Sequence, residues 1–488
     1  MPALPDDPRR STATVTAEAP VPLPSGDAGP SRSRQGVWAL LRRLHFYAGV
    51  FVAPFLLLAA LTGLAYTVTP QLDQLVYGDE LRVERTAGQP HSLADQIEAA
   101  RTAHPEGSLA YVVTPPTAED TTRVVLDVPG LEDDRQRTVF VDPYTNEVKG
   151  ELITWFDETP LMTWFDDLHR NLHMGEVGRL YSEVAASWLW VLVLGGLVLW
   201  LGRARGQRAK SVRGVLVADR SASGVRRTRS RHAVTGVWLS LGLLGLSATG
   251  LTWSHYAGDR FGSLLDAVHA HAPALDTSLP SSGEGSAKAG GEHAGHGAGH
   301  EAAHGDVAGF DVALAAARDA GLGGVVILTP PTDEGNAWSV VQDDRVWPVH
   351  LDQVAVDTTT GEVTAHNRWL DHPLPAKLSK LGVAAHMGIL FGVANQIALA
   401  AIAIGLLFAI TWGYRMWWQR RPTRDNRRTT VGRAPTRGTW RELPLPLLFL
   451  GIPAVAALGW ALPVLGVTLL GFLVVDGLAG VVQRRRHA

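Results

Sequence analysis

Residues 47–69 read YAGVFVAPFLLLAALTGLAYTVT and carry no charged side chain. A helix of about 20 apolar residues is long enough to cross the hydrocarbon core of a bilayer, which is about 30 Å thick. The stretch therefore predicts a membrane-spanning helix. Three further stretches are apolar and uncharged, and they predict three more spans: 184–201, 233–254 and 389–414.

A fifth apolar stretch, 444–482, is too long for one crossing and contains a single charged residue, Asp476. Pro463 lies near its middle, and proline interrupts a helix because it lacks the backbone N–H and clashes with the preceding turn. We therefore predict two helices joined by a tight turn, and six spans in all. The expected fold class is an all-α multi-span membrane bundle with four core helices and a C-terminal hairpin.

Charge asymmetry predicts the orientation of these spans. The linker 203–232 holds ten Lys and Arg residues against one acid, and 415–441 holds nine Arg against one acid. By contrast, 70–183 has 22 acidic and 9 basic residues, and 256–385 has 17 and 7. Short basic loops stay in the cytoplasm. We expect a multi-pass protein of the plasma or inner membrane, with both termini cytoplasmic and two acidic domains outside.

The chain contains an internal duplication. Residues 45–50 (HFYAGV) resemble 232–237 (HAVTGV), and residues 61–64 (LTGL) resemble 248–251 (ATGL), both at an offset of 187. These segments begin and end the first and third spans. The first and third spans are therefore predicted to be equivalent helices.

Two shorter matches extend the duplication beyond the spans. Residues 114–116 (TPP) recur at 329–331, an offset of 215, and residues 173–175 (HMG) recur at 386–388, an offset of 213. Self-similarity of this kind indicates one structural unit used twice. The unit is a helix, an external domain and a second helix.

Each external domain begins with a helical pattern and continues with strand-like runs, which predicts a small α+β domain with one helix on an antiparallel sheet. The predicted helices are 92–104 and 309–320. The predicted strands are 109–114, 122–128, 137–142 and 147–153 in the first copy, and 324–329, 337–342, 347–357 and 362–366 in the second.

The resulting organisation has eleven parts, of which the first, rich in Pro, Ser and Arg, is expected to be a disordered tail. The parts are the tail 1–36, helix 37–69, first external domain 70–183, helix 184–202, basic loop 203–232, helix 233–255, second external domain 256–385 with a His-rich insert 281–305, helix 386–416, basic loop 417–443, hairpin 444–482 and tail 483–488.

The chain has no cysteine. Disulfides, Cys-ligated zinc, iron–sulfur clusters and covalently attached c-type haem are therefore excluded. No glycine-rich dinucleotide or Walker motif is present, and basic linkers of about 30 residues are too short to fold alone. A nicotinamide or flavin domain is not expected within the chain, nor is a nucleic-acid partner.

The histidines that flank the spans are the candidate site residues. His45 and His232 begin the first and third spans, and His173 and His386 precede the second and fourth. His169 lies four residues before His173 and hence on the same helix face. A polar residue at a helix end is cheaply hydrated and needs no function. A matched pair at each membrane face, however, is what a bis-histidine cofactor requires.

Glycine lies one turn after each of the first two histidines, at Gly49 and Gly236. A missing side chain there leaves room for a flat macrocycle, or equally for a closely packed helix. A separate histidine tract in the insert predicts binding of zinc, copper or nickel, although a polar linker accumulates histidine without a function. The tract consists of His293, His296, His300 and His304.

Four motifs carry a resemblance to a known family. They are Arg43-Leu-His45 with Gly49, Pro54 and Thr62-Gly63; Leu168-His169-Arg170-Asn171-Leu172; Leu251-Thr252-Trp253-Ser254; and Gly413-Tyr414-Arg415-Met416-Trp417-Trp418. With these motifs in order over about residues 37–421, the chain resembles the PepSY-associated transmembrane helix family. Similar members include inner-membrane ferrisiderophore reductases, in which helix-borne histidines hold b-type haem and PepSY domains face outward.

The resemblance implies a haem-dependent ferric siderophore reductase that carries electrons across the membrane during iron uptake. Two haem b groups are implied, one held by His45 and His232, the other by His386 with either His169 or His173. Electrons would come from a separate cytosolic reductase or membrane quinol, and a ferric siderophore or metal chelate would accept them. The alternatives are a non-enzymatic PepSY scaffold that binds peptides or regulates a protease, and a metal-binding accessory protein.

Overall fold

The computed structural model describes residues 32–84, 88–132, 134–206, 216–279, 306–333, 335–420 and 445–485. In chain order the helices are α1 (Arg32–Tyr66), α2 (Thr69–Val76), α3 (Gly78–Leu81), α4 (Leu93–Ala103), α5 (Pro160–Asn171), α6 (Gly175–Gly206), α7 (Gly224–Thr252), α8 (His255–Ala267), α9 (Gly309–Asp319), α10 (Leu374–His386), α11 (Val393–Gln419), α12 (Leu445–Ala461) and α13 (Pro463–Arg485). The strands are β1 (Ser108–Val113), β2 (Thr122–Asp127), β3 (Arg135–Val141), β4 (Val148–Trp155), β5 (Val326–Thr329), β6 (Trp338–Gln342), β7 (Gln353–Asp357) and β8 (Glu362–Asn367).

Four long helices form the membrane bundle. Helix α1 packs against α6 and α11, and α7 packs against the same two helices, so α1 and α7 stand diagonally across the ring. Small and branched side chains, among them Ala48, Val52 and Leu56 of α1, fill the interior beside Trp188 of α6 and Leu243 of α7. The four predicted core spans are thus present as one bundle.

Within the described residues, five helices are long and apolar enough to cross a membrane. These five are Gly36–Tyr66, Gly175–Gly202, Gly224–Thr252, Val393–Gln419 and Pro463–Val482. The predicted hairpin turn occurs at Pro463, where α13 begins. The sixth expected span is not among these five: α12 is apolar and is described over 17 residues, from Leu445 onward.

The two domains predicted to be external share one sheet. Strands of both copies form an eight-stranded antiparallel sheet in the order β4-β3-β2-β1-β5-β6-β7-β8. The all-α description therefore holds only for the bundle. The α+β character of each domain agrees with the predicted helix and strands, but the joining of the two domains through β1 and β5 was not predicted.

The contact between β1 and β5 is symmetric. Val112 pairs with Leu328, and Val113 pairs with Ile327. At the repeat offset of 215, Val113 is equivalent to Leu328 and Val112 to Ile327. The register therefore places a pseudo-twofold axis between the two pairs.

Helices α4 and α9 cover one face of the sheet, with Ile97 and Phe310 fully buried in the core between them. Asp311 at the start of α9 accepts hydrogen bonds from the backbone N–H groups of Leu93 (2.7 Å) and Ala94 (3.1 Å). These N–H groups at the start of α4 have no partner within their own helix. The second copy thereby caps a helix of the first.

The predicted strand 347–357 is too long. Only Gln353–Asp357 is a strand, and the preceding segment is a loop closed by a bridge between Asp344 and His350. Two short helices, α5 and α10, connect the sheet to the bundle. We call this side of the bundle the sheet end, and the side where α6 is followed by α7 the loop end.

Candidate cofactor-binding site

One histidine pair lies at the loop end. His45 of α1 and His232 of α7 come from diagonally placed helices, and their ring centroids are 6.3 Å apart with an angle of 68° between the ring planes. The duplication makes these two residues equivalent. They therefore meet on the pseudo-twofold axis of the bundle.

A second pair lies at the sheet end. His169 near the end of α5 and His386 at the end of α10 have ring centroids 6.3 Å apart and an interplanar angle of 50°. Along α1, the distance from His45 to Gly63, the residue that faces His169, is about 27 Å. The two pairs are thus separated by most of the apolar thickness of the bundle.

Threonine side chains orient the sheet-end imidazoles. Thr62 Oγ1 lies 2.9 Å from His169 Nδ1 and also 2.9 Å from the carbonyl oxygen of Leu58. A hydroxyl has one proton. When Thr62 donates that proton to Leu58, its oxygen accepts from His169 Nδ1–H, and Nε2 keeps its lone pair for a metal.

The second copy repeats this contact. Thr249 Oγ1 lies 2.6 Å from His386 Nδ1 and donates to the carbonyl of Gly245 at 2.9 Å. Thr62 and Thr249 are equivalent at offset 187. Groups that hold the far nitrogen of a ligating histidine set its tautomer and ring orientation.

A backbone carbonyl performs the same task for His232 at the loop end. The carbonyl of Ala409 accepts a hydrogen bond of 2.9 Å from His232 Nδ1. His45 Nδ1 is buried near the carbonyl of Leu192, which is equivalent to Ala409 at an offset of 217, but its geometry does not make a hydrogen bond with any described residue. In this arrangement the Nε2 atoms are the ones available to a ligand.

Each histidine ring packs against a glycine of a neighbouring helix. A Cβ added at Gly63 would lie 3.1 Å from His169 Cε1, and one at Gly250 would lie 3.6 Å from His386 Cε1. At the loop end, Cβ atoms at Gly196 and Gly413 would lie 3.2 Å from His45 Cε1 and 3.8 Å from His232 Cε1, respectively. The absence of side chains lets all four rings enter the bundle.

Glycines on the histidine-bearing helices leave further room. A Cβ at Gly236 would meet nothing within 4 Å, and one at Gly49 would meet only Leu192, at 3.9 Å. Both glycines lie one turn from a loop-end histidine and on the same face. The expected space beside His232 is present.

The sheet-end imidazoles are neutral at neutral pH. Burial lowers the pKa of His169 to about 4. Burial, together with the neighbouring His169, lowers the pKa of His386 to about 4. Only a neutral imidazole can bind a metal, so both rings are in the form that ligation requires.

His173 does not face His386. It lies beyond the end of α5, in a left-handed turn where φ is 54° at both Leu172 and His173, and its ring lies 5.0 Å from that of Trp164. The match at offset 213 therefore does not identify the residue opposite His386. His169 holds that position, at the offset of 217 that also relates Gly196 to Gly413.

Each pair would offer two imidazole nitrogens, one from each half of the chain, to the metal of a bound cofactor. A metal held between two imidazoles at about 2.0–2.1 Å from each nitrogen places the ring centroids roughly 6 Å apart. Two protein ligands leave the other coordination positions to a macrocycle. In the described part of the chain, no group of three or more His, Asp or Glu side chains is arranged to hold a bare metal ion.

The predicted metal tract lies outside the described residues; it comprises His293, His296, His300 and His304. The orienting role of Thr62 and Thr249 was not predicted from the sequence, and neither were the glycines that face the histidines. The sequence feature that could have identified them is the Thr-Gly dipeptide at 62–63, which is repeated at 249–250. The threonine supplies a hydrogen-bond acceptor, and the adjacent glycine has no side chain.

A duplicated four-helix bundle with paired histidines and an eight-stranded sheet defines a multi-pass membrane protein of internally symmetric design. The chain belongs to the family described as PepSY-associated TM region, whose sequence model matches residues 42–420. No curated protein matches the chain. The C-terminal hairpin lies beyond the matched region.

Proposed function

We propose that this protein is a haem b-containing electron carrier that reduces an acceptor on the sheet side of the membrane. The observation that supports this proposal best is the equal ring separation of 6.3 Å in two histidine pairs at opposite ends of one bundle. Structural packing alone gives no reason for both separations to fit a metal between the rings.

When bound, haem iron would take up and release single electrons. The chain's own contribution is four imidazoles in two pairs: His45 with His232, and His169 with His386. Thr62 and Thr249 hold the sheet-end rings in place, and the apolar helices provide a low-dielectric surrounding that influences the reduction potential. Noncovalent binding follows from the absence of cysteine.

The acidic domains favour a cationic or metal-bearing acceptor and repel anionic ones. A ferric siderophore or another metal chelate fits this charge and the family resemblance. The chain has no nucleotide-binding motif, so we propose a separate cytosolic reductase or membrane quinol as the donor. The proposed orientation places the sheet outside the cell and both termini inside, because the basic loops are expected to stay in the cytoplasm.

Haem quantification tests the proposal. The purified protein should show the split visible bands of reduced low-spin haem, with two haem equivalents per chain. His45→Ala or His232→Ala should remove one equivalent, and His169→Ala or His386→Ala should remove or convert the other. His173→Ala is the matched control and should retain both.

A colourless protein from haem-replete cells would contradict the proposal and support the scaffold alternative. Deleting residues 290–305 tests the metal-binding alternative separately. If that deletion lowers zinc or copper binding while the haem spectrum persists, the histidine tract is an accessory. Reporter fusions after residues 120 and 215 would test orientation, with the first expected outside and the second inside.

A further inference from the structure

An unusual turn connects β4 to α5 beneath the sheet. Phe156 and Asp157 have φ values of 48° and 64°, in the left-handed region that non-glycine residues rarely occupy. Backbone hydrogen bonds between Trp155 and Glu158, of 3.2 and 2.9 Å, close the turn. Such strain persists only where surrounding structure maintains it, and it concentrates at functional sites.

The turn brings Asp157 and Glu158 into a group of charged side chains between the sheet and the bundle. Asp157 pairs with Arg123 of β2. The charged and titratable groups of this cluster, some acting on Glu158 directly and others on its neighbours, come from five elements and from the turn itself. They are Tyr66 of α1, Asp73 of α2, Arg123 of β2, Asp157 of the turn, Asp166 and Arg170 of α5, and Asp343 and Arg345 of the β6–β7 loop.

Glu158 has no dedicated cation in this group. Its Oε2 atom is buried and accepts no hydrogen bond from any described residue. The nearby Arg345 pairs through two nitrogens with Asp343, at 2.7 and 3.2 Å, and Arg170 pairs with the carboxylates of α5. Burial and the neighbouring Asp166 carboxylate raise the pKa of Glu158 to about 8.

The group lies next to the sheet-end histidines. Asp166 is one turn before His169 on α5, and Tyr66 is one turn after Gly63, the residue that faces the His169 ring. Both Asp166 and Tyr66 interact electrostatically with Glu158. A change of charge at the histidine pair would therefore act on Glu158 through a short, poorly hydrated path.

The duplicated fold does not require these charges. At the offset of 217 that relates His169 to His386, Val383 replaces Asp166 and Met387 replaces Arg170. The second copy forms the equivalent helix, α10, with apolar residues at these positions. The α5 charges of the group are thus a feature of one half only, which argues for a role beyond stability.

We propose that the ionised Glu158 carboxylate takes up one proton when the sheet-end site gains one electron, and releases it when the electron leaves. The inference rests on the proposed function. One electron and one proton enter together, so the net charge of the site stays constant, and water on the sheet side supplies and receives the proton. An added negative charge nearby stabilises the protonated carboxyl.

The pH dependence of the midpoint potential of the sheet-end centre tests this inference. In the full-length haem protein, the potential should fall as pH rises above about 8, because Glu158 is then ionised before reduction and takes up its proton together with the electron. Glu158→Gln keeps a neutral side chain of the same shape and should remove most of this dependence. Glu132→Gln, an exposed position of the same domain, should retain it.

An infrared pH titration gives a second measurement that does not depend on electron transfer. The wild-type protein should show a protonated-carboxyl band that disappears with a midpoint near pH 8, and Glu158→Gln should lack it. Absence of that band, or an unchanged pH slope of the potential in Glu158→Gln, would overturn the inference alone. A protein without haem would overturn the proposed function and the inference with it.

Discussion

Thr62 Oγ1 lies 2.9 Å from His169 Nδ1, and this contact determines which imidazole nitrogen is free to bind a metal. Thr62→Val keeps the shape of the side chain but removes the acceptor. We expect haem affinity at the sheet end to fall about 10–100-fold, the usual effect of losing such a supporting contact. Haem titration of the protein measures this change.

Thr249→Val should have the same effect through His386. Thr411→Val is the control, because Thr411 is exposed on α11 and donates to the carbonyl of Leu407. Unchanged haem affinity in both Thr62→Val and Thr249→Val would show that the two hydroxyls do not support the site.

Gly236 leaves open space one turn from His232. Gly236→Leu fills that space without displacing a neighbour, so the bundle should fold while the loop-end site loses its cofactor. Pyridine haemochrome analysis should then show one haem equivalent in place of two. Gly245→Leu is a matched control, since Gly245 also borders open space but lies on a different face of α7. Two equivalents in Gly236→Leu would mean that the space does not adjoin the cofactor.

Thr114 joins the two halves of the sheet. Its Oγ1 accepts a hydrogen bond of 2.9 Å from the buried N–H of Val326. Thr114→Val leaves that N–H without an acceptor, which costs about 1–3 kcal/mol. Chemical unfolding in detergent should detect this loss of unfolding free energy. Thr329→Val, at the equivalent but half-buried position, should cause a smaller loss. Equal losses of unfolding free energy in the two variants would indicate that the hydrogen bond from Val326 to Thr114 adds no particular stability to the contact between β1 and β5.

Arg43 and Asp476 form an ion pair that attaches α13 to α1, with the Arg43 side chain almost fully buried. Removing one partner of a buried pair typically costs about 3–5 kcal/mol because a charge remains uncompensated. Arg43→Met should therefore increase hydrogen exchange in α13. The double variant Arg43→Met, Asp476→Leu should recover much of the protection, and Arg42→Met, at an exposed position, should have little effect.

The duplication allowed much of the site to be predicted. Equivalent positions at offset 187 relate His45 to His232 in the sequence, and the folded bundle brings these two rings together. The sheet-end pair was harder to predict, because the offset changes from 187 in α1 and α7 to 217 after the two sheet-forming domains. A short tripeptide match at offset 213 therefore made His173 as suitable a candidate as His169.

The joining of the sheet could not be predicted in the same way. Strand β1 ends just before the first Thr-Pro-Pro, and β5 ends at the threonine of the second. Each of these strands is the edge strand of its own four-stranded meander. Whether such an edge remains exposed or pairs with another is decided by contacts distant in sequence. Likewise, the short helices α5 and α10 have no long apolar pattern, although they carry His169 and His386.

The register between β1 and β5 has a consequence for the origin of this architecture. Val112 meets the counterpart of Val113, and Val113 meets the counterpart of Val112, which is the isologous contact of a symmetric homodimer. Each half of the chain contributes one histidine to each pair. A polypeptide corresponding to either half would therefore complete neither pair by itself, and would do so only by associating with a second copy edge to edge.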